Sequence, residues 1–149
     1  MALQMELSIE SRVENLELVQ MVVEETMNRL EIAGRTCYEV GMAVREAVAN
    51  AIEHGNRAAP ERKVEVELDL LPGELVVRVR DEGSGFDPNQ VSDPLASANL
   101  LRTSGRGILF MREFMDEIDY TFGLNGGTQV TLRKLLNRSA SSTEEEEDA

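Results

Sequence analysis

Apolar and polar residues alternate over residues 3–9 (LQMELSI), the two-residue period of a half-buried strand. From Ser11 onward the period changes. Val13, Leu16, Val19, Val23, Met27 and Leu30 recur at three- and four-residue intervals, which predicts an amphipathic helix capped by Ser11. The stretch IAGRT (residues 32–36) breaks it, with Gly34 expected to stop this helix and Thr36 to cap the next. The second helix is expected to run to about His54 and end at Gly55. KVEVELDL (63–70) and ELVVRVRD (74–81) alternate strictly around Pro72 and Gly73, which predicts a hairpin. Residues 82–107 are rich in Gly, Ser and Asn and contain Pro88 and Pro94. A loop this long inside a compact domain is usually functional or mobile. Helical spacing returns at Ile108, Met111 and Met115. A second hairpin follows, DEIDYTF and GTQVTLRKLL, turning at GLNGG (123–127). The simplest assembly is a mixed or antiparallel sheet with helices on one face.

Composition narrows this picture. Aromatic residues make up 4% and Trp is absent, so the core must be aliphatic. The 149 residues fit one domain, taken as 1–136, followed by an acidic tail, 137–149, with no large apolar residue and expected to be disordered. The net charge is −13, and the tail carries five of the acidic residues. That balance argues against direct nucleic-acid binding, which needs a cationic surface. No apolar run approaches a membrane span and no signal-peptide pattern opens the chain. Cys37 is the single cysteine, so no intramolecular disulfide can form. These features suit a cytoplasmic protein without membrane contact. Cys37 reads as a small buried residue rather than a reactive thiol, because nothing basic flanks it.

Candidate chemistry begins in REAVANAIEHGN (45–56). At about 100° per residue, Glu46, Asn50 and Glu53 fall within an arc of roughly 60°. The alanines and valines of the same helix lie nearly opposite. A solvated polar face fits this pattern. So does chemistry: an amide oxygen is a suitable neutral ligand for Mg²⁺, and a carboxylate one turn away can take a proton from a hydroxyl attacking a phosphate. RDEGSGFDP (80–88) follows a strand. Asp81 at the strand end can accept from an exocyclic amine such as adenine N6, while Gly83 and Gly85 let backbone approach a flat ring. Read alone, it also fits an ordinary turn. SGRGI (104–108) opens a helix. A glycine-rich entry of this kind offers N–H groups to phosphates, with Arg102 and Arg106 nearby, although a plain helix start fits as well. The Walker and dinucleotide spacings are both absent.

The order of these motifs resembles the ATP-binding superfamily that includes gyrase B and the histidine kinases. In wording and size it is most similar to the anti-sigma-factor serine kinase family, over roughly residues 3–136. The resemblance implies a Bergerat-type α/β fold, a two-layer α+β sandwich whose mixed sheet carries helices on one face and a flexible ATP lid. It implies ATP and Mg²⁺ as cofactors, with Glu46 as general base and Asn50 as Mg²⁺ ligand. Asp81 would read adenine, and Thr128 would help through water. Gly83 and Gly85 match the first glycine box, and Gly105 and Gly107 the phosphate-side box, with Arg102, Ser104 and Arg106 as phosphate contacts. His54 falls in the helix motif without a chemical role. The family implies a cytoplasmic homodimer. It would sequester a sigma factor and phosphorylate a serine of a STAS-type anti-anti-sigma protein. The alternative is a nucleotide-responsive binding module with little phosphoryl transfer. A histidine-kinase fragment fits poorly, because the single histidine lies inside the nucleotide helix.

Overall fold

The computed structural model describes residues 3–83, 111–123 and 126–136. Five strands and two long helices occupy them: β1 (Leu3–Glu10), α1 (Asn15–Arg29), α2 (Gly34–Asn50), β2 (Lys63–Leu71), β3 (Glu74–Arg80), β4 (Glu117–Phe122) and β5 (Thr128–Leu135). A π-helical turn, Ala51–Gly55, extends α2. The strands form one sheet in the order β1-β2-β3-β5-β4. Every described pairing is antiparallel, so the sheet is not mixed. β5 sits between β3 and β4, so β4, the next described strand after β3 in the chain, is not its neighbour in the sheet. The segment 84–110, with the expected lid, lies between them and outside the described residues.

Strand alternation sends Val64, Val66 and Leu68 of β2, Val77 of β3 and Leu132 of β5 to one face, all fully buried. α1 covers that face with Val19, Val23 and Met27, and α2 with Val40, Val44 and Val48. Among the described residues, α1 and α2 lie on this one face of the sheet, which makes the two layers. On the other face, Arg78 pairs with Asp69 at 2.7 Å, Arg80 with Glu65 at 2.8 Å and Arg133 with Glu74 at 2.7 Å. The Arg80–Glu65 pair is exposed and the other two are half-buried, and cross-strand pairs of this kind favour register while adding little stability where exposed.

The predicted strands and hairpins are present. Leu71 pairs with Glu74 across a two-residue turn in which Gly73 has φ 79°. Helix ends differ from expectation. Ser11 does not cap α1. It is buried, and its Oγ donates to the Arg62 carbonyl at 2.6 Å. Thr36 does not cap α2 either, because that helix begins at Gly34 after Ala33. Gly34 therefore starts a helix rather than stopping one. α1 is stopped by Glu31, which adopts φ 59°. The Glu31 N–H donates to the Asn28 carbonyl at 3.1 Å and the Ile32 N–H to the Met27 carbonyl at 3.1 Å. This double closure normally uses glycine at the left-handed position. Ile32 packs against the apolar core to which Met27 belongs. Cys37 is buried as expected. Burial, with Glu24 nearby, pushes its thiol pKa up, and Sγ donates to the Ile32 carbonyl.

Glu31 is exposed and carries a side chain in the left-handed region. Glu31→Gly should therefore stabilise the protein by about 1 kcal/mol, since a side chain costs about that much there. Urea denaturation checks this, and an unchanged or lower midpoint would contradict the assignment.

Candidate functional site

Glu46 and Asn50 occupy the last turns of α2. Both are half-buried, and the Oε2 atom of Glu46 is covered. The valine and alanine face of α2, packed on the sheet, fixes their rotation about the helix axis. The helix then widens. The Asn56 N–H reaches back five residues to the Ala51 carbonyl at 2.8 Å, and the Ala58 N–H six residues to the Ile52 carbonyl at 2.6 Å. Arg57 and Ala58 follow with φ 52° and 56°. Such π turns are uncommon and concentrate at functional sites. Here the widened turn carries Gly55 onto Asp81. His54 lies exposed within it.

Asp81 continues from the end of β3 and is only 7% exposed. Its N–H donates to the Thr128 carbonyl at 3.0 Å, extending the β3–β5 ladder by one bond. Its Oδ1 accepts the N–H groups of Gly83 and Thr128, both at 3.0 Å. Oδ2 accepts no hydrogen bond from a described residue, so acceptor capacity remains. Three glycines allow the close packing around Asp81. A Cβ on Gly55 would run into Asp81 Oδ2, and one on Gly83 into the Gly55 carbonyl. A Cβ on Gly127, which has φ 86°, would stand 2.7 Å from the Asp81 carbonyl oxygen. Beside them, Thr128 Oγ1 is buried and forms no hydrogen bond with a described residue.

A buried carboxylate with acceptor capacity left over, next to an unpaired buried hydroxyl, is a mismatch that a polar ligand or a bridging water resolves. An adenine amine and a water fit it. The two glycines on either side of Asp81 that the sequence reading passed over, Gly55 and Gly127, belong to this cradle. Gly55 reads as a plain helix stop, and Gly127 as one of several turn glycines. Only the crossing of the π turn and β5 over Asp81 makes them necessary.

Toward the other end, Met111 and Met115 bury a short helical stretch beside the sheet. Lys134 Nζ donates to the Phe114 carbonyl at 2.6 Å and lies 3.5 Å from Glu39 on α2. Asp116 bonds β5 twice, through its N–H to the Arg133 carbonyl and through Oδ2 from the Leu135 N–H. These bonds anchor the C-terminal end of the segment that follows SGRGI. Gly85, Arg102, Ser104, Gly105, Arg106 and Gly107 lie outside the described residues, as does the acidic tail. Among the described residues no group of three or more acidic, His or Cys side chains could hold a metal ion. A Mg²⁺ held by Asn50 and by the phosphates of a nucleotide would need no such cluster. No helix among the described residues is long and apolar enough to cross a membrane.

A sheet that stops at a buried aspartate, faced by a helix carrying Glu-x-x-x-Asn, defines a class. Residues 9–134 match the histidine kinase-like ATPase domain, and the chain belongs to that family. Its relatives narrow the class. The anti-sigma F factor of Oceanobacillus iheyensis is 32% identical over 138 residues, spanning 91% of this chain and 94% of that protein. The anti-sigma F factor of Geobacillus kaustophilus is 33% identical with the same coverage. The fold is similar to that of the RsbU and RsbW domains of Rv1364c from Mycobacterium tuberculosis, with TM-score 0.65 and 19% identity over 90% of this chain and 32% of that one. It is also similar to a chain of the SiaB–SiaC complex of Pseudomonas aeruginosa, with TM-score 0.55 and 14% identity over 89% of each. The family resemblance read from the motifs is thereby borne out.

Burial raises the pKa of Asp81 above the ordinary carboxylate value. The Gly83 and Thr128 N–H bonds and the Arg62 charge offset only part of that. Between the unfolded and the raised folded value, the native state holds more protons than the unfolded state. Stability contributed at this site therefore falls as pH rises through that window and is level above it. Asp81→Asn keeps an oxygen for both N–H groups and removes the titration. The stability difference, wild type minus variant, should fall with rising pH across the window, as read by denaturation at a series of pH values. A difference that rises would contradict the burial account. Gly55→Ala should cost roughly 1–3 kcal/mol, as overpacking does. Gly34→Ala, where an added Cβ meets nothing within 4 Å, should be near neutral by the same measurement. Equal effects would contradict the close approach at Gly55.

Proposed function

We propose that this protein is an ATP-dependent serine-protein kinase and anti-sigma factor. It sequesters a sigma factor and phosphorylates a serine of a STAS-type anti-anti-sigma protein. The observation that carries the nucleotide part is the Asp81 cradle: a buried carboxylate with acceptor capacity, an unpaired Thr128 hydroxyl, and glycines where a ring must come close. The relatives' name, anti-sigma F factor, supports the regulatory part.

In this reading adenine donates its exocyclic amine to Asp81 and reaches Thr128 through water. Asn50 offers its amide oxygen to Mg²⁺. The ion supplies charge neutralisation at the phosphates. Glu46, one turn earlier on α2, takes the proton from the attacking serine hydroxyl. Gly83 and Gly85 form the base-side glycine pair. Gly105 and Gly107, with Arg102, Ser104 and Arg106, receive the phosphates. The protein acts as a cytoplasmic homodimer, contacts no nucleic acid directly, and does not need its acidic tail for partner binding. Glu46 separates this reading from a nucleotide-responsive binding module, because nucleotide binding alone has no use for a base at that position.

The partner retained by the immobilised protein from a lysate of the source cells should gain one phosphate in intact mass on adding MgATP. Glu46→Gln should keep ATP affinity and slow that gain by roughly 10²–10⁴-fold, the usual size of general-base catalysis. Wild-type turnover in the variant would remove Glu46 as the base. A partner bound in a nucleotide-dependent way that never gains mass would favour the binding module.

A further inference from the structure

Asn56 is fully buried and lies one residue beyond Gly55. Its carboxamide is engaged at both ends. Nδ2 donates to Ser11 Oγ at 2.8 Å and to the Lys63 carbonyl at 3.0 Å, and Oδ1 accepts the Glu82 N–H at 2.8 Å. Its own N–H closes the π turn on the Ala51 carbonyl. One side chain thus joins the approach to α1, the end of α2, the start of β2 and the residue after Asp81.

The bond to Glu82 has the greatest consequence. That N–H belongs to the peptide formed with the Asp81 carbonyl, so Asn56 fixes the peptide plane on the C-terminal side of Asp81. The Thr128 carbonyl fixes the N-terminal side. The backbone of Asp81 is therefore held from both directions, and Gly55, joined to Asn56, packs on its Oδ2. A residue here must offer a donor and an acceptor together. Asparagine does, while an aspartate would turn an acceptor toward the Lys63 carbonyl.

We infer that Asn56 is a positioning residue for recognition of the base: through Glu82 and Gly55 it aims the Asp81 carboxylate and ties that aim to the helix end carrying Glu46 and Asn50. The inference rests on the adenine reading above. It makes no claim of contact between Asn56 and the nucleotide. Ser11 provides the control. Removing its hydroxyl disturbs the same buried cluster, including the bond to the Arg62 carbonyl, but leaves the bond between Asn56 and Glu82 in place.

The test is the ratio of affinities for ATP and inosine triphosphate, measured by calorimetry on the full chain with excess Mg²⁺. Inosine triphosphate carries a carbonyl where ATP carries the amine. The wild type should prefer ATP by roughly 10- to 100-fold, the size of one unmet buried hydrogen bond. Asn56→Ala should bring the ratio toward one. Ser11→Ala should lower the melting temperature and leave the ratio at its wild-type value. Should Asn56→Ala fail to fold, Asn56→Ser, whose hydroxyl is too short to reach the Glu82 N–H, carries the same expectation. A wild-type ratio near one would overturn the adenine reading itself. A high wild-type ratio that survives in the folded Asn56 variant, or that falls equally in Ser11→Ala, would overturn the positioning role alone.

Discussion

The burial of the Asp81 carboxylate against the end of α2 is the constraint on which the other features depend. A charged group 7% exposed is tolerated only where hydrogen bonds replace its water. Gly83 and Thr128 supply two through backbone N–H groups, and Arg62 contributes charge. The replacement is incomplete, so the pKa stays raised and acceptor capacity is left over. A group under that tension is expected at a binding site more than in a structural core.

The surrounding architecture follows from it. β3 must pair with β5 to bring Thr128 opposite the strand end, which places β4 beyond β5 at the edge of the sheet rather than beside β3. α2 must end in a π turn so that Gly55 can meet Asp81. The same turn places Asn56 where it can hold Glu82. The aliphatic face of α2 on the sheet sets the orientation of Glu46 and Asn50. One helix thus registers the Asp81 end of the site, where the base is proposed to be read, against the end where phosphates and Mg²⁺ are proposed to lie.

Much of this was legible in the sequence. Period-two alternation in 63–70 and 74–81 located the hairpin, and opposed polar and apolar arcs in 45–56 located the helix with its Glu and Asn. Asp81 was legible from its place at the end of an apolar strand before glycines. The helix ends were not. Ser11 has the chemistry of a cap, yet its hydroxyl is committed to Arg62, a partner 51 residues away. Glu31 takes a left-handed conformation that its residue type does not announce, because Ile32 and Met27 close the turn beneath it. Gly55, Gly127 and Asn56 escaped for the same reason. Their roles exist only where distant segments cross, and nothing in local spacing marks that crossing. A strictly antiparallel sheet also satisfied the strand pattern, and only the pairing of β5 between β3 and β4 decided it.

The most direct measurement is the response of the backbone amides of Gly83 and Thr128 to MgATP, followed by nitrogen–proton correlation NMR on the labelled full chain. Both N–H groups donate to the Asp81 oxygen, so they report on that carboxylate without altering it. The account predicts that these two resonances shift strongly and saturably, while amides of the β1–β2 pairing stay in place. If MgATP binds and shifts other resonances while Gly83 and Thr128 stay unmoved, Asp81 is not where the base is read, and the account fails at its centre.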